Sequence, residues 1–323
     1  NPYRGDRLLD TARASLQRAG VSVSGMTPME VVAAAFTQGT SDFPVLLENA
    51  MHKTLQAAYA TAALTWNRFC ATGSVSDFRA HNRYRTGSFG SLDSVNELGE
   101  FVNKSIPDGE KASITAGTKG NIINLSRTAI INDDLDMLTR VPALFGAAAR
   151  GTIGDLVYAV LTGNVKMPDN KTLFHADHKN LLTGADAAMG IKGLSAAKTL
   201  MRGQRAVGAD DKPGRALNIR PGYALVPIEL EDTAFQLINS TSVPGADANS
   251  GISNPLKGFA EVIGEPRLSD SDVAQWFLAA QGGDTVEVAY LDGMDAPWIE
   301  QQEGFTVDGV TTKVRIDAGV SAL

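Results

Sequence analysis

The sequence holds a single cysteine, Cys70, among 323 residues. One cysteine cannot staple a fold from within, and it cannot build a cysteine-based zinc centre. A cysteine nucleophile would need a basic partner that no motif here supplies. Cys70 follows TWNRF at the end of a helical run, so a plain buried thiol is expected. Long apolar runs are also missing. Nothing approaches the ~18 uninterrupted apolar residues of a bilayer span, so no membrane span is expected, and no secretory signal is visible. There is no basic excess: Lys plus Arg is 29 against 36 Asp plus Glu, for a net charge of −7. That argues against a dedicated nucleic-acid binder, though not against a protein that stands near nucleic acid. Aromatic residues are 7% of the chain and scattered, so they form no base-stacking platform. Phosphate-cradling glycine loops and the nucleophile elbow are absent. The first residue is Asn1, which fits either a trimmed chain or a proteolytically matured one.

Apolar residues at 43% and charged residues at 20% describe an ordinary folded chain, long enough for two or three subdomains. The amino end reads as helices. DRLLDTARASLQRAG places Leu8, Leu9, Ala12 and Leu16 on one face and stops at Gly20. In TPMEVVAAAF, Thr27, Pro28 and Glu30 fit an N-cap, a first-turn proline and the third position of a capping box. A third helix follows SDFP, with Leu47, Met51, Leu55, Ala58 and Ala62 at helical spacing. The first two are too short to fold alone and need a neighbour to lie on.

From SVSDFR the texture changes to alternation and turns. EFVNKSIPDGEKASITA reads as two strands around a turn at Pro107, Asp108 and Gly109. A long hairpin with so few large apolar residues should project and find its partner elsewhere. INDDLDMLTRVPALFGAAARGTIGDLVYAVLTGN then reads as one long helix, bent or restarted at Pro142 and ending near Gly163. Asp133, Asp134 and Asp136 favour its start, and Leu138, Leu144, Ala148, Leu156 and Val160 form its apolar stripe. Later come a helix at SAAKTLMRGQRAVG, a buried strand at GYALVPIEL, a helix at EDTAFQLINS and a loop at VPGADANSGISNP. The last third is mostly strands: QWFLAA, TVEVAYLD and a long one with Val310, Thr312, Val314 and Ile316 on one face. The blocks of helix and strand, without regular βαβ alternation, indicate an α+β fold.

Chemistry is hard to find. LFHADHKN places His175 and His178 three apart, where a metalloprotease helix needs four with a glutamate after the first. No third ligand is indicated by spacing. The flanks look like a loop, so the imidazoles are expected to hydrogen-bond backbone and fix it; a metal-dependent hydrolase using His175 and His178 is the enzymatic alternative. SDSDV at 269–273 lacks the glycine and distal glutamate of a calcium loop and reads as a solvated loop. RAHNRYR at 79–85 is a small basic patch: either a solvated strand edge or a contact with an acidic neighbouring subunit.

The order helical arm, projecting hairpin, long helix, mixed domain, closing strands resembles the major capsid protein of tailed bacteriophages, the Hong Kong ninety-seven type fold. SDFPVLLENAMHKTLQAAY, SVSDFR, LSRTAIINDDLDMLTRVPALFGAAAR, TLFHADHKNL, YALVPIELEDTA and VEVAYLDGMDAPWIEQQEGFTVDGVTTKVRIDAG look like the Mu-like major head subunit, a type often encoded with a ClpP-like prohead protease. The resemblance runs from about residue 40 to 320. It implies an N-terminal arm over 1–66, an extended E-loop over 74–118, a peripheral domain from 119–164 and 284–323 with a spine helix at about 135–163, and an axial domain over 165–283.

It further implies a structural protein, not an enzyme, with no cofactor. Its main partner would be itself, in pentamers and hexamers of an icosahedral shell around double-stranded DNA. The resemblance also brings a portal protein, a scaffold or prohead protease, decoration proteins and non-specific proximity to packaged DNA, in a virion assembled in the host bacterial cytoplasm. Candidate subunit-interface residues are Arg79, Arg83, Arg85, Phe89, Leu92, Glu97, Glu100 and Phe101. Much apolar surface of 1–66 and 74–118 is expected to be covered only in the shell, and an isolated subunit with those segments fully packed on itself would count against assembly. An encapsulin-like compartment shell shares the fold and is the nearest alternative.

Overall fold

The computed structural model describes residues 8–37, 43–62, 64–85, 94–95, 110–126, 137–206, 214–244, 252–282, 285–303 and 309–323. The chain divides into two units. One holds Asn1–Ala63, Gly117–Ile153 and Met294–Ala318; the other holds Leu64–Ala116, Gly154–Gly293 and Gly319–Leu323.

The first unit contains helices α1 (Leu8–Arg18), α2 (Pro28–Thr37) and α3 (Phe43–Thr61) and strand β4 (Gly117–Ser126). It also contains strand β9 (Trp298–Glu303) and most of β10 (Gly309–Ala322). Helix α1 closes where Gly20, at φ +81°, lets the Val21 N–H return to the Leu16 carbonyl at 2.9 Å. The capping box of α2 is present: the Thr27 N–H donates to Glu30 Oε2 at 2.7 Å, and the Glu30 N–H donates to Thr27 Oγ1 at 3.3 Å. The bonds from Thr27 hold the Glu30 carboxyl below its ordinary range.

Strand β10 pairs antiparallel with both β4 and β9, so that Val314 faces Asn121 on one side and Ile299 on the other. Thr312, Val314 and Ile316 are buried along one face of β10, as their alternation predicts. Against this sheet lies a core of Ala12, Leu16, Val31, Ala35, Leu47, Met51 and Leu55 with Ile299 and Val314. The expectation that the first helices wait for a neighbouring subunit is therefore corrected. Their apolar faces are short but complementary, and the chain's own closing strands cover them. Met29 and Leu46 remain exposed. The described faces of α1 to α3 are thus covered within the chain.

Helix α4 (Met137–Thr162) carries Pro142 within its first turns and continues from the first unit into the second. Its buried row is Val141, Ala149, Ile153, Val157 and Leu161, with Val160 beside it. The expected stripe is only partly right: Leu144 is 69% exposed and Ala148 is exposed, whereas Val160 is buried. The side chain of Leu138 and the acids at 133, 134 and 136 lie outside the described residues. What decides the face is close backbone approach. A Cβ on Gly146 would sit 2.5 Å from the Leu55 carbonyl oxygen, so α3 and α4 meet where a side chain is missing. A row of Gly and Ala is invisible to a search for leucines. By length and composition alone this helix could cross a bilayer, but Arg140, Arg150 and Asp155 interrupt it and one face is core.

In the second unit, β1 (Ala71–Val75) runs parallel to β8 (Val286–Leu291), and β2 (His81–Arg85) pairs antiparallel with β3 (Glu110–Ile114). The expected turn around Pro107 lies outside the described residues; β3 finds its partner in β2. Strand β5 (Pro221–Val226) lies between β6 (Glu261–Gly264), parallel, and β7 (Phe277–Ala280), antiparallel. Helices α5 (Ile191–Arg202) and α6 (Ile228–Asn239) join the core of this part through Leu194, Leu237 and Ile238, with Ala224 and Leu256. Strand β5 is buried on both faces at Ala224, Leu225 and Val226, as its unbroken apolar run predicts. SDSDV is corrected in part. Helix α7 (Pro266–Ser271) takes its first residues, with Pro266 in the first turn and Glu265 as its cap, and the exposed remainder turns on Asp272.

Candidate assembly site

The base of the hairpin β2–β3 is the most specifically built feature of the second unit. Glu287 is the second residue of β8, where Val286, Val288, Ala289 and Tyr290 are all buried, and is itself only 5% exposed. A buried carboxylate must be paired. Its partner is Arg83 of β2: Nε lies 3.0 and 2.9 Å from the two carboxylate oxygens and Nη2 lies 2.6 Å from Oε1. The same Nη2 donates to the Ser74 carbonyl at 3.0 Å. Gly73 makes room, because a Cβ there would fall 1.9 Å from Glu287 Oε1. The bonds it donates to Glu287 raise the Arg83 pKa above its ordinary value and hold its charge. The basic patch thus finds its acid, but in its own chain, and neither reading offered for Arg83 anticipated that.

Of the other interface candidates, Arg79 is exposed and its N–H is held by Asp77 Oδ1 at 2.9 Å. Arg85 ends β2, and nothing is described of its side chain. Phe89, Leu92, Glu97, Glu100 and Phe101 lie outside the described residues. Tyr84 on β2 and Phe78 just before it are 67% and 50% exposed.

A second polar group holds α7 to the end of α4. The Tyr158 hydroxyl donates to Thr65 Oγ1 at 2.8 Å, and Thr65 donates to the buried Glu265 carboxylate at 2.5 Å. Arg267 bridges Glu265 at 2.7 Å and Asp155 at 2.6 Å. Its guanidinium lies over Gly154, where a Cβ would approach it to 3.1 Å. Burial pushes the Tyr158 hydroxyl well above its usual range, so it stays protonated and serves as a hydrogen-bond donor. Cys70 is buried and its thiol is pushed up to about 12 by desolvation, which makes it inert.

The HADH segment is a loop. His178 Nδ1 meets the Leu173 carbonyl at 3.0 Å and Nε2 meets Asp169 Oδ2 at 2.9 Å, so both ring nitrogens are engaged. His175 Nδ1 accepts the Asp177 N–H at 3.2 Å, and Asn180 closes the loop by donating to the Leu173 carbonyl at 2.7 Å. The two rings stand edge to face, 6.0 Å between centroids. Among the described residues no group of three His, Cys, Asp or Glu is placed to hold a metal.

A profile of the phage capsid protein family matches residues 109–322, well over half of the chain. The chain belongs to the phage capsid protein family. It is a structural subunit of a virion shell and not an enzyme. The fold agrees. The capsid of bacteriophage JBD30 is similar with a TM-score of 0.53 at 18% identity, over 67% of this chain and 94% of that one. The capsid of cyanophage P-SCSP1u is similar with a TM-score of 0.50 at 13% identity, over 81% of this chain and 85% of that one. None of the curated proteins compared with the chain matches it. In this phage capsid protein, sequence singles out Arg83 of the hairpin base but not its partner, and it misses the residues of the α4–α7 bridge. Of the missed residues only Glu287 carried a signal, as a lone charge inside an apolar strand; Gly73, Asp155, Glu265 and Arg267 carried none.

Proposed function

We propose that this capsid protein is the major head subunit of a Mu-like tailed phage, forming the pentamers and hexamers of an icosahedral shell around double-stranded DNA. The family match carries the reading. In it, residues 1–66 are an N-terminal arm, 74–118 the E-loop laid over a neighbouring subunit, 119–164 with 284–323 the peripheral domain on the spine helix, and 165–283 the axial domain. The hairpin base supports the second assignment: β2 and β3 are firmly held, while Phe78 and Tyr84 stand exposed beside them. Arg79, Arg85, Phe89, Leu92, Glu97, Glu100 and Phe101 are the residues proposed to meet the neighbour.

Assembly takes place in the host bacterial cytoplasm with a portal protein and with a scaffold or a ClpP-like prohead protease, and decoration proteins join the outside. A net charge of −7 suits a wall that must not retain the DNA packed against it. No observation favours the encapsulin-like alternative, and His178 has no ring nitrogen left for the metal of a hydrolase. Expression of the chain alone and with a candidate protease, followed by electron microscopy, tests the reading. Closed shells or capsomer rings are expected; a protein that stays monomeric at high concentration in both cases would refute it.

A further inference from the structure

The two legs of the hairpin are attached by different physics. The inward residues of β3, Ala112 and Ile114, are apolar and buried, and Ile114 packs with Val75, Ala116 and Ala289. The Ser321 hydroxyl also donates to the Ser113 carbonyl at 2.9 Å. At Gly319 a Cβ would come within 2.1 Å of the Thr115 carbonyl oxygen, so the chain at Gly319 lies hard against the end of this leg. The residues of β2 that turn inward are His81 and Arg83, both polar, while Asn82 and Tyr84 are exposed. Opposite Arg83 in the register stands Ala112, too small to fill its place. Beyond its ladder with β3 and the His81 Nε2–Asp77 Oδ1 contact at 2.9 Å, the side chains of β2 are held to the body by one forked ion pair, in a slot that Gly73 leaves open.

Such a pair is a poor source of stability. Desolvating the two charges cancels most of their attraction, and apolar residues of similar volume would serve as well. What apolar residues would lack is direction. A guanidinium fork on a carboxylate, with a third bond to the Ser74 carbonyl, fixes the side chain in both distance and plane. We infer that Arg83 and Glu287 are positioning residues for assembly: their ion pair sets the orientation of β2, and so the aim of the hairpin on the neighbouring subunit. The inference rests on the proposed reading of 74–118 as an inter-subunit arm.

The experiment uses the full chain and three variants: Arg83→Met, Glu287→Met, and both together. Thermal midpoint, electron microscopy of particles, and spin-label distances between Thr72→Cys and Asn82→Cys are measured for each. Both label sites are exposed, and buried Cys70 does not compete for the label. The single variants lower the midpoint because one charge is left buried alone. The double variant regains most of the midpoint, yet its distance distribution broadens at least about twofold and uniform particles are lost. Arg83→Lys keeps the charge but not the fork and broadens the distribution to an intermediate degree; it serves if the double variant does not fold. A double variant, or an Arg83→Lys variant, with the wild-type distance distribution and uniform particles overturns the inference. A further chain, with 86–109 replaced by a short Gly–Ser turn, separates the two ideas. Normal shells from it overturn the arm reading and with it the aim on a neighbour; loss of shells keeps the arm reading, and the label distances then decide the role of the ion pair.

Discussion

At the scale of single residues, removing Arg83 leaves the buried Glu287 carboxylate without its partner. Arg83→Met should cost about 2–3 kcal/mol. That is less than the ~3–5 kcal/mol of a fully buried pair, because the Arg83 side chain keeps 29% of its exposure; denaturant unfolding reads it. Thr312 runs the other way. It is fully buried on the core face of β10, and among the described residues its hydroxyl has no partner. Thr312→Val keeps the shape and removes the stranded hydroxyl, so it should stabilise by about 1 kcal/mol, measured as a rise in thermal midpoint.

His178 gives a pH dependence with a definite sign. Its hydrogen bond to Asp169 holds the imidazole above its ordinary 6.5 and the Asp169 carboxyl below its ordinary 3.8. The histidine's contribution is full below 6.5 and fades as pH rises through the raised value; the aspartate's is full above 3.8 and fades as pH falls through the lowered one. The loop over 165–180 should be tightest between those limits. Amide protection there, corrected for intrinsic exchange, should fall between pH 5.5 and 8.5 in the wild type. It should hardly change in His178→Gln. A wild-type loop equally protected at both pH values would contradict this.

At the scale of elements, strands and capped helices were legible and faces were less so. The stop at Gly20, the capping box at Thr27 and the alternation of β10 depend on local chemistry, which sequence displays directly. Thr27→Ala should cost about 1 kcal/mol of helix stability for that reason. The buried row of α4 was misplaced because it is chosen by Gly146 meeting the backbone of α3, a contact that only the folded chain reveals. Gly146→Val should destabilise the first unit strongly, by about 3 kcal/mol, since the obstacle is a main-chain carbonyl that cannot step aside. Calorimetry on the purified variant measures it. The same limit hid the candidate site: Arg83 and Glu287 are far apart in sequence, and a sequence shows which charges exist, not which ones meet.

At the scale of the whole molecule, function lies in repetition. A capsid subunit has no turnover to measure, and the inert thiol of Cys70, the fully engaged His178 and the donor role of Tyr158 all suit a protein that performs none. The self-packed amino-terminal helices narrow where neighbours are to be sought. They point to the hairpin and to exposed apolar residues such as Phe78, Tyr84 and Leu144, and away from the faces of α1 to α3. Cryo-electron microscopy of the full chain, concentrated after expression, tests the central claim most directly. The account predicts closed shells in which the β2–β3 hairpin of each subunit lies on its neighbour. Monomers that never associate, or shells in which that hairpin touches only its own subunit, would contradict it.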